Sequence, residues 1–256
     1  MGLVDNIPLR AAVAAFAAKA EQSSYLEVVR NCFQGDLLLD STGSEITMTE
    51  DGTSIAAGSR FHFHEGKGPN GERALFAFTR QEEAQRMHPG EPATTMGQPA
   101  GGLMEFAQAQ GYGWVYIDPA GPTCGVGVPD VDFVLRNARN DAVKNAIGTG
   151  KPSDALDALA LGAPLMYAVI EHPDKSVEVR TSVSPDGKPV RLAFTSAAEV
   201  AARSTTDAFA TIDLARVVSD ALEEPFEGLV INPAGPWTAL NREQLLILQG
   251  RLPAAG

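Results

Sequence analysis

Few residues in this chain combine the types and spacing that chemistry needs. His62 and His64 lie two positions apart, so on a strand both rings would share a face and could chelate a metal. Glu65 would point the other way, His88 and His172 are distant in sequence, and no His-Glu-x-x-His is present. Two imidazoles without a third ligand read better as solvated or half-buried histidines, so no metal and no cofactor is assigned. Cys124 follows Pro122 and Thr123 on a loop. A cysteine nucleophile needs a neighbouring base to lower its pKa, and no histidine is close in sequence. With no Cys-x-x-Cys, Cys32 and Cys124 read as small buried or half-buried hydrophobes. There is no Gly-x-Ser-x-Gly elbow. Gly148-Thr149-Gly150-Lys151-Pro152-Ser153 touches on a phosphate loop, but Pro follows the Lys and no strand precedes it. It reads as a linker. Without a catalytic constellation, the chain reads as non-enzymatic.

One pattern remains, and it occurs twice. Asn232-Pro233-Ala234-Gly235-Pro236 echoes Asp118-Pro119-Ala120-Gly121-Pro122. Pro fixes φ, Gly permits positive φ, and an Asn side chain can bond the backbone two residues on, so each is a sharp turn after a buried strand. The functional alternative is a surface ledge with Trp237 as an aromatic anchor for a partner. The candidate binding residues are Asn232, Pro233, Gly235, Trp237, Asp118, Pro119 and Gly121. The first turn continues with Thr123-Cys124 where the second has Trp237-Thr238. Two ledges so different would not bind alike.

The echo extends upstream. Phe76-Ala77-Phe78-Thr79 matches Leu192-Ala193-Phe194-Thr195, and Thr79 lies 40 positions before Pro119 while Thr195 lies 38 before Pro233. Such a long period excludes a solenoid and implies two copies of one globular unit. The expected division is 1–138 and 139–256, with the joint near 137–151. Helices are expected over 8–20 and 24–31, starting at 79 and 195 with Thr as N-cap, and over 103–110 and 212–222. Closing helices are expected over 131–136 and 241–248. Strands are expected over 36–40, 60–64, 73–78 and 114–117, then 165–170, 190–194 and 229–231. Asp51-Gly52 and Asp186-Gly187 signal hairpin turns. The second copy should open with a helix over 153–161 that Gly162 ends. Adjacent hairpins with flanking helices argue α+β with a mixed sheet in each domain.

Composition narrows the partners. The net charge is −12, with no run of Lys and Arg, which argues against nucleic acid and against anionic membrane surfaces. No apolar stretch approaches the ~20 residues of a membrane span, so no membrane insertion is expected. The Ala-rich start carries Arg10 and Lys19, which suits an amphipathic helix better than a signal peptide. A cytoplasmic location follows.

The hydrophobic-Phe-Thr strand end and Leu229-Val230-Ile231-Asn232-Pro233-Ala234-Gly235-Pro236 resemble the N-terminal domain of the SseB family. The resemblance is strongest over 140–250. The first copy departs by placing Asp118 where the motif has Asn. The resemblance implies a fold, in two tandem copies, and no catalytic residues. Relatives are described as enhanced-serine-sensitivity proteins or, by domain name, are linked to type III secretion. The expectation is a non-enzymatic protein that binds an unidentified protein partner. The alternative is a small-ligand binder or enzyme with a pocket between the copies, where Cys124, His62 and His64 would meet. A third reading, a secretion-linked chaperone, expects an exposed apolar groove that takes a helix or strand.

Overall fold

In the computed structural model, residues 4–45, 47, 49 and 56–252 are described. The chain divides into two compact units, Met1–Phe133 and Val134–Gly256. The first runs α1 (Ile7–Ala18), α2 (Gln22–Asn31), β1 (Asp36–Asp40), β2 (Glu65–Lys67), β3 (Arg73–Phe78), α3 (Gln81–Gln85), β4 (Thr95–Pro99), α4 (Ala100–Ala109), β5 (Trp114–Ile117) and β6 (Cys124–Gly127); α5 (Val128–Arg136) carries the chain into the second. That unit runs α6 (Asp141–Gly148), α7 (Pro152–Leu159), β7 (Leu165–Glu171), β8 (Val177–Val179), β9 (Thr181–Val183), β10 (Pro189–Ala193), α8 (Ala197–Arg203), β11 (Ala208–Ile212), α9 (Leu214–Leu222), β12 (Gly228–Ile231), β13 (Thr238–Asn241) and α10 (Arg242–Arg251).

Each unit is α+β with a mixed sheet. In the first the order is β4-β1-β3-β5-β6, with β2 also on β3. Only β3 and β5 are parallel, because α3, β4 and α4 intervene and return the chain in the same direction. The second unit repeats this. β12 lies parallel to β10, β13 antiparallel to β12, and β11 antiparallel to β7. Met166 and Phe194 exchange backbone hydrogen bonds of 2.8 and 2.9 Å, which joins β7 to β10 as β1 joins β3. The order β11-β7-β10-β12-β13 therefore matches the first unit strand for strand.

Strand alternation sorts the two faces. Val115 and Ile117 are buried while Trp114 and Tyr116 are half-buried. Fully buried Phe78 and Phe194 occupy matching positions. The helical side of the second unit's core gathers Leu214, Val217, Val218 and Ala221 of α9 with Leu245 and Leu248 of α10.

Several expectations change. The proposed joint holds α6, so each unit opens with a helix pair, and the stretch from Gly148 to Ser153 is the turn from α6 into α7. Asn6 and Asn140 cap the first helix of each pair, accepting from Leu9 N and Val143 N. Thr79 and Thr195 do not cap helices; Arg80 and Ser196 hold those positions, and the threonine hydroxyls are used elsewhere. Residues 60–64 are not a strand, because β2 begins only at Glu65. The Pro/Gly-rich stretch before α4 contains an edge strand, β4, whose Pro99 sits at its last residue. The Asp51-Gly52 turn lies outside the described residues.

Candidate functional site

Each parallel strand pair ends in a clamp. Thr79 follows β3 and Asp118 follows β5. Asp118 accepts hydrogen bonds from Thr79 N at 2.8 Å and from Thr79 Oγ1 at 2.7 Å. In the second unit Asn232 Oδ1 accepts from Thr195 N at 2.9 Å, and its Nδ2 donates to Thr195 Oγ1 at 2.9 Å. The reach across the sheet depends on backbone shape. Asp118 and Asn232 have φ of 53° and 55°, a left-handed geometry that Asp and Asn tolerate better than most residues. The Asn side chain thus bonds the neighbouring strand end and not its own turn. The turns close through backbone bonds, Gly121 N to Asp118 O at 3.0 Å and Gly235 N to Asn232 O at 2.8 Å.

Charge separates the clamps. Burial pushes the Asp118 carboxyl up to about 6, with Glu83 adding to the shift and the Thr79 hydrogen bonds and Arg10 opposing it. Asn232 carries no charge to bury.

The clamps sort the candidate binding residues. Asp118 and Asn232 are 2 % and 1 % exposed, so both face inward. Pro119 is half-buried. A Cβ on Gly121 would lie 2.6 Å from Arg86 Nη1, so that glycine admits the Arg86–Glu83 ion pair. Gly235 has φ of 82°, which glycine alone adopts freely. Pro233 and Trp237 reach a surface. They line a groove of about 510 Å³ on the outer face of β9, β10, β12 and β13. Val190, Leu192 and Val230 also line it, and Trp237 is 61 % exposed.

The same sheet face of the first unit is filled differently. Phe76, Trp114 and Tyr116 stand where Leu192, Gly228 and Val230 stand in the second. Trp114 stacks on Tyr116 with centroids 6.2 Å apart, and Phe76 meets Tyr116 edge-on at 6.3 Å. Glycines make the room: a Cβ on Gly66 would lie 2.6 Å from the Phe76 ring, and one on Gly125 2.7 Å from the Tyr116 ring.

The proposed meeting of Cys124 with histidines does not occur. Cys124 lies on β6, and β5 and β3 separate it from β1 and its neighbouring histidines. Burial pushes its thiol up to about 12, which leaves it a poor nucleophile at neutral pH. His62 is exposed. His64 turns instead to Asp40, where His88 also arrives. His88 Nε2 lies 2.5 Å and His64 Nδ1 3.0 Å from Asp40 Oδ2. Burial raises the Asp40 carboxyl, but hydrogen bonds from His88 and Thr42 outweigh it and hold the group below the usual carboxylate range.

Two further residues matter that the sequence reading passed over. Asn6 and Asn140 do more than cap helices. The Asn6 backbone N–H donates to Thr79 O at 2.9 Å, and that of Asn140 to Thr195 O at 2.8 Å. Asn6 Nδ2 donates to Gln34 O at 2.7 Å, and Asn140 Nδ2 to Ala163 O at 3.1 Å. Each asparagine ties the opening helices to the clamp. An Asn before a helix with an apolar residue three positions on is the signal that could have found them.

A family model described as SseB protein N-terminal domain matches residues 9–129 and again residues 141–245. The chain belongs to the SseB family. No curated protein and no solved structure matches it. Each matched segment of this SseB-family protein starts at or within the opening helix of a unit and ends within its closing helix, so it spans both strands of the clamp.

Proposed function

We propose that this SseB-family protein is a non-enzymatic binding protein whose second unit takes a segment of a partner protein in the groove beside Trp237. One observation carries the reading: where the first unit fills its sheet face with its own rings, the second has shorter side chains, and an apolar groove floored by buried Val190 and Leu192 lies beside Trp237. Val183 and Trp237 there are 67 % and 61 % exposed. Aromatic side chains of this kind anchor interfaces when a partner buries them. The occupant we favour is an extended segment with an apolar side chain flanked by cationic residues. The chain carries a net charge of −12, and the groove is edged by Asp186 and Glu227, with Lys188 3.4 Å from Glu227. Charge complementarity of this sort sets specificity and speeds encounter. We also propose a cytoplasmic location and no role for nucleic acid. No helix among the described residues is long and apolar enough to cross a membrane.

A displayed peptide library selected on the full chain tests the reading. Enriched peptides should pair an apolar residue with Lys or Arg and should lose binding to Trp237→Ala. Enrichment of acidic peptides, or equal capture by Trp237→Ala, would remove the groove from contention.

A further inference from the structure

The corner at Asp40 is built by the topology of β3. β1 borders the C-terminal half of that strand at Ala77 and Phe78, and β2 borders the N-terminal half at Arg73 to Leu75. The chain leaving β1 and the chain entering β2 therefore meet, and His64 N donates to Asp40 O at 3.2 Å. This brings the side chains of Asp40 and His64 together. His88 follows because α3 packs back over the same strand end, with Ala84 buried against Leu38 and Phe78.

The three side chains present two imidazole nitrogens and one carboxylate oxygen, all within 4.8 Å of one another. The imidazole rings stand edge to face, with centroids 4.9 Å apart. A hydrogen bond from His88 accounts for only part of the arrangement. His64 Nδ1 is buried 3.0 Å from Asp40 Oδ2, yet makes no hydrogen bond. A polar atom in that position has a strong reason to find a partner. We propose that Asp40 Oδ2, His64 Nδ1 and His88 Nε2 bind one divalent transition-metal ion of the zinc class.

The donor set suits such an ion. Zinc takes nitrogen and oxygen ligands at about 2.0–2.2 Å, which sets tetrahedral ligand atoms about 3.3–3.6 Å apart and asks the two distances from Asp40 Oδ2 to the imidazole nitrogens to widen by about 1 Å or less. Two histidines and one carboxylate also suit other divalent metals late in the first row. Calcium and magnesium need more oxygen ligands than the corner provides. The surroundings orient the ligands. Thr42 N donates to Asp40 Oδ1 at 3.0 Å, which leaves Oδ2 for the ion. His88 Nδ1 lies 3.5 Å from Glu91 Oε1, the outer carboxylate that commonly steadies a ligating imidazole. Access is from one side. The Asp40 side chain is fully covered, whereas that of His64 is 36 % exposed. Water can complete the coordination there.

The second unit predicts the stoichiometry. Its strands place Ala168 at the Asp40 position and Arg180 at the His64 position, for Arg180 N donates to Ala168 O at 2.9 Å. Neither can ligate, so one ion should bind per chain.

Isothermal titration of the chelator-stripped full chain with Zn²⁺ tests the site, with Co²⁺ absorbance as a second probe of nitrogen-containing coordination. The expected result is one saturable ion per chain at micromolar or better affinity, with no competition from Mg²⁺. His64→Ala and His88→Ala should remove that binding, Glu91→Gln should weaken it about tenfold, and His62→Ala and His172→Ala should leave it unchanged. His64 is partly exposed, so His64→Ala is the variant least exposed to folding failure, and near-ultraviolet circular dichroism checks its fold. The proposal falls if the wild-type chain binds no Zn²⁺ in this range. It also falls if folded His64→Ala binds as the wild type does, if two ions bind, or if loss of His172 or His62 abolishes binding.

Discussion

At the end of its first central strand the first unit holds Asp40 against His64 and His88, while the second holds Ala168 and turns Arg180 to Asp207, with bonds of 2.8 and 2.7 Å. At the clamp the first unit buries a carboxyl on Asp118, and the second buries a neutral amide on Asn232. On the outer sheet face the first unit packs its own rings, and the second leaves a groove. Yet Thr79 and Thr195 accept the same backbone bond from Asn6 and Asn140, and both threonines are clamped from the neighbouring strand. The lesson is a division of labour. The bonds that satisfy the backbone groups of Thr79 and Thr195 are alike in the two units, because an unpaired buried N–H or C=O is costly in either. What those bonds do not fix is free to differ: the charge of the clamp residue, the corner after the first central strand and the outer sheet face, and the differences in chemistry lie there.

The strongest way to break this comparison is to remove a clamp. Asn232→Ala strands the buried Thr195 N–H and puts alanine at a left-handed φ, and should cost about 3 kcal/mol. Urea unfolding reads it well, because Trp114 reports on the first unit and Trp237 on the second, and there are no other tryptophans. A loss confined to the Trp114 signal, or one below about 1 kcal/mol, would count against the clamp. Asn6→Ala and Asn140→Ala should each cost about 2 kcal/mol by removing a cap and buried amide bonds, with similar values in the two units. Markedly unequal values would show that the units do not share this brace.

Asp118→Asn should act in the opposite direction. A carboxyl raised to about 6 contributes stability that is present below the ordinary carboxylate range and lost as pH rises through 6. The groups facing it are Glu83, which adds to the shift, and Arg10, which opposes it. Asn cannot ionise and can copy the Asn232 bond to threonine. The variant should match the wild type near pH 4 and exceed it by about 1–2 kcal/mol at pH 8. Equal stability at both pH values would show that Asp118 does not bury charge. The smallest effect belongs to Trp237→Ala, which should change stability by no more than about 0.5 kcal/mol while abolishing peptide capture. A large loss of stability would make Trp237 a core residue and not an anchor.

Much of the fold was legible in the residues. The repeated Phe-Thr and Pro-Ala-Gly-Pro blocks sit at matching strand ends, and buried strands such as β5 and β12 announce themselves as short apolar runs. β4, β6, β11 and α6 were not legible. Thr95 to Pro99 is too polar and Cys124 to Gly127 too rich in Gly for a strand pattern to show, and they become strands because a neighbour offers unpaired backbone groups. The histidine pattern misled for a related reason. The i, i+2 spacing of His62 and His64 implied a shared face on a strand that does not form there. The partners of His64 come from 24 residues upstream and 24 downstream, a separation that periodicity cannot bridge.

Sequence alone determined that one unit occurs twice, that each is α+β, and that a strand-ending turn recurs, because these follow from local pattern and backbone preference. Tertiary structure alone decided that the turn's Asp or Asn clamps a threonine across the sheet, that one sheet face is filled with rings while its counterpart carries a groove, and that Asp40, His64 and His88 share a corner. Those outcomes depend on which strand borders β3 along each half of its length. That choice is made by long-range hydrogen bonding and packing, and no window of neighbouring residues contains it.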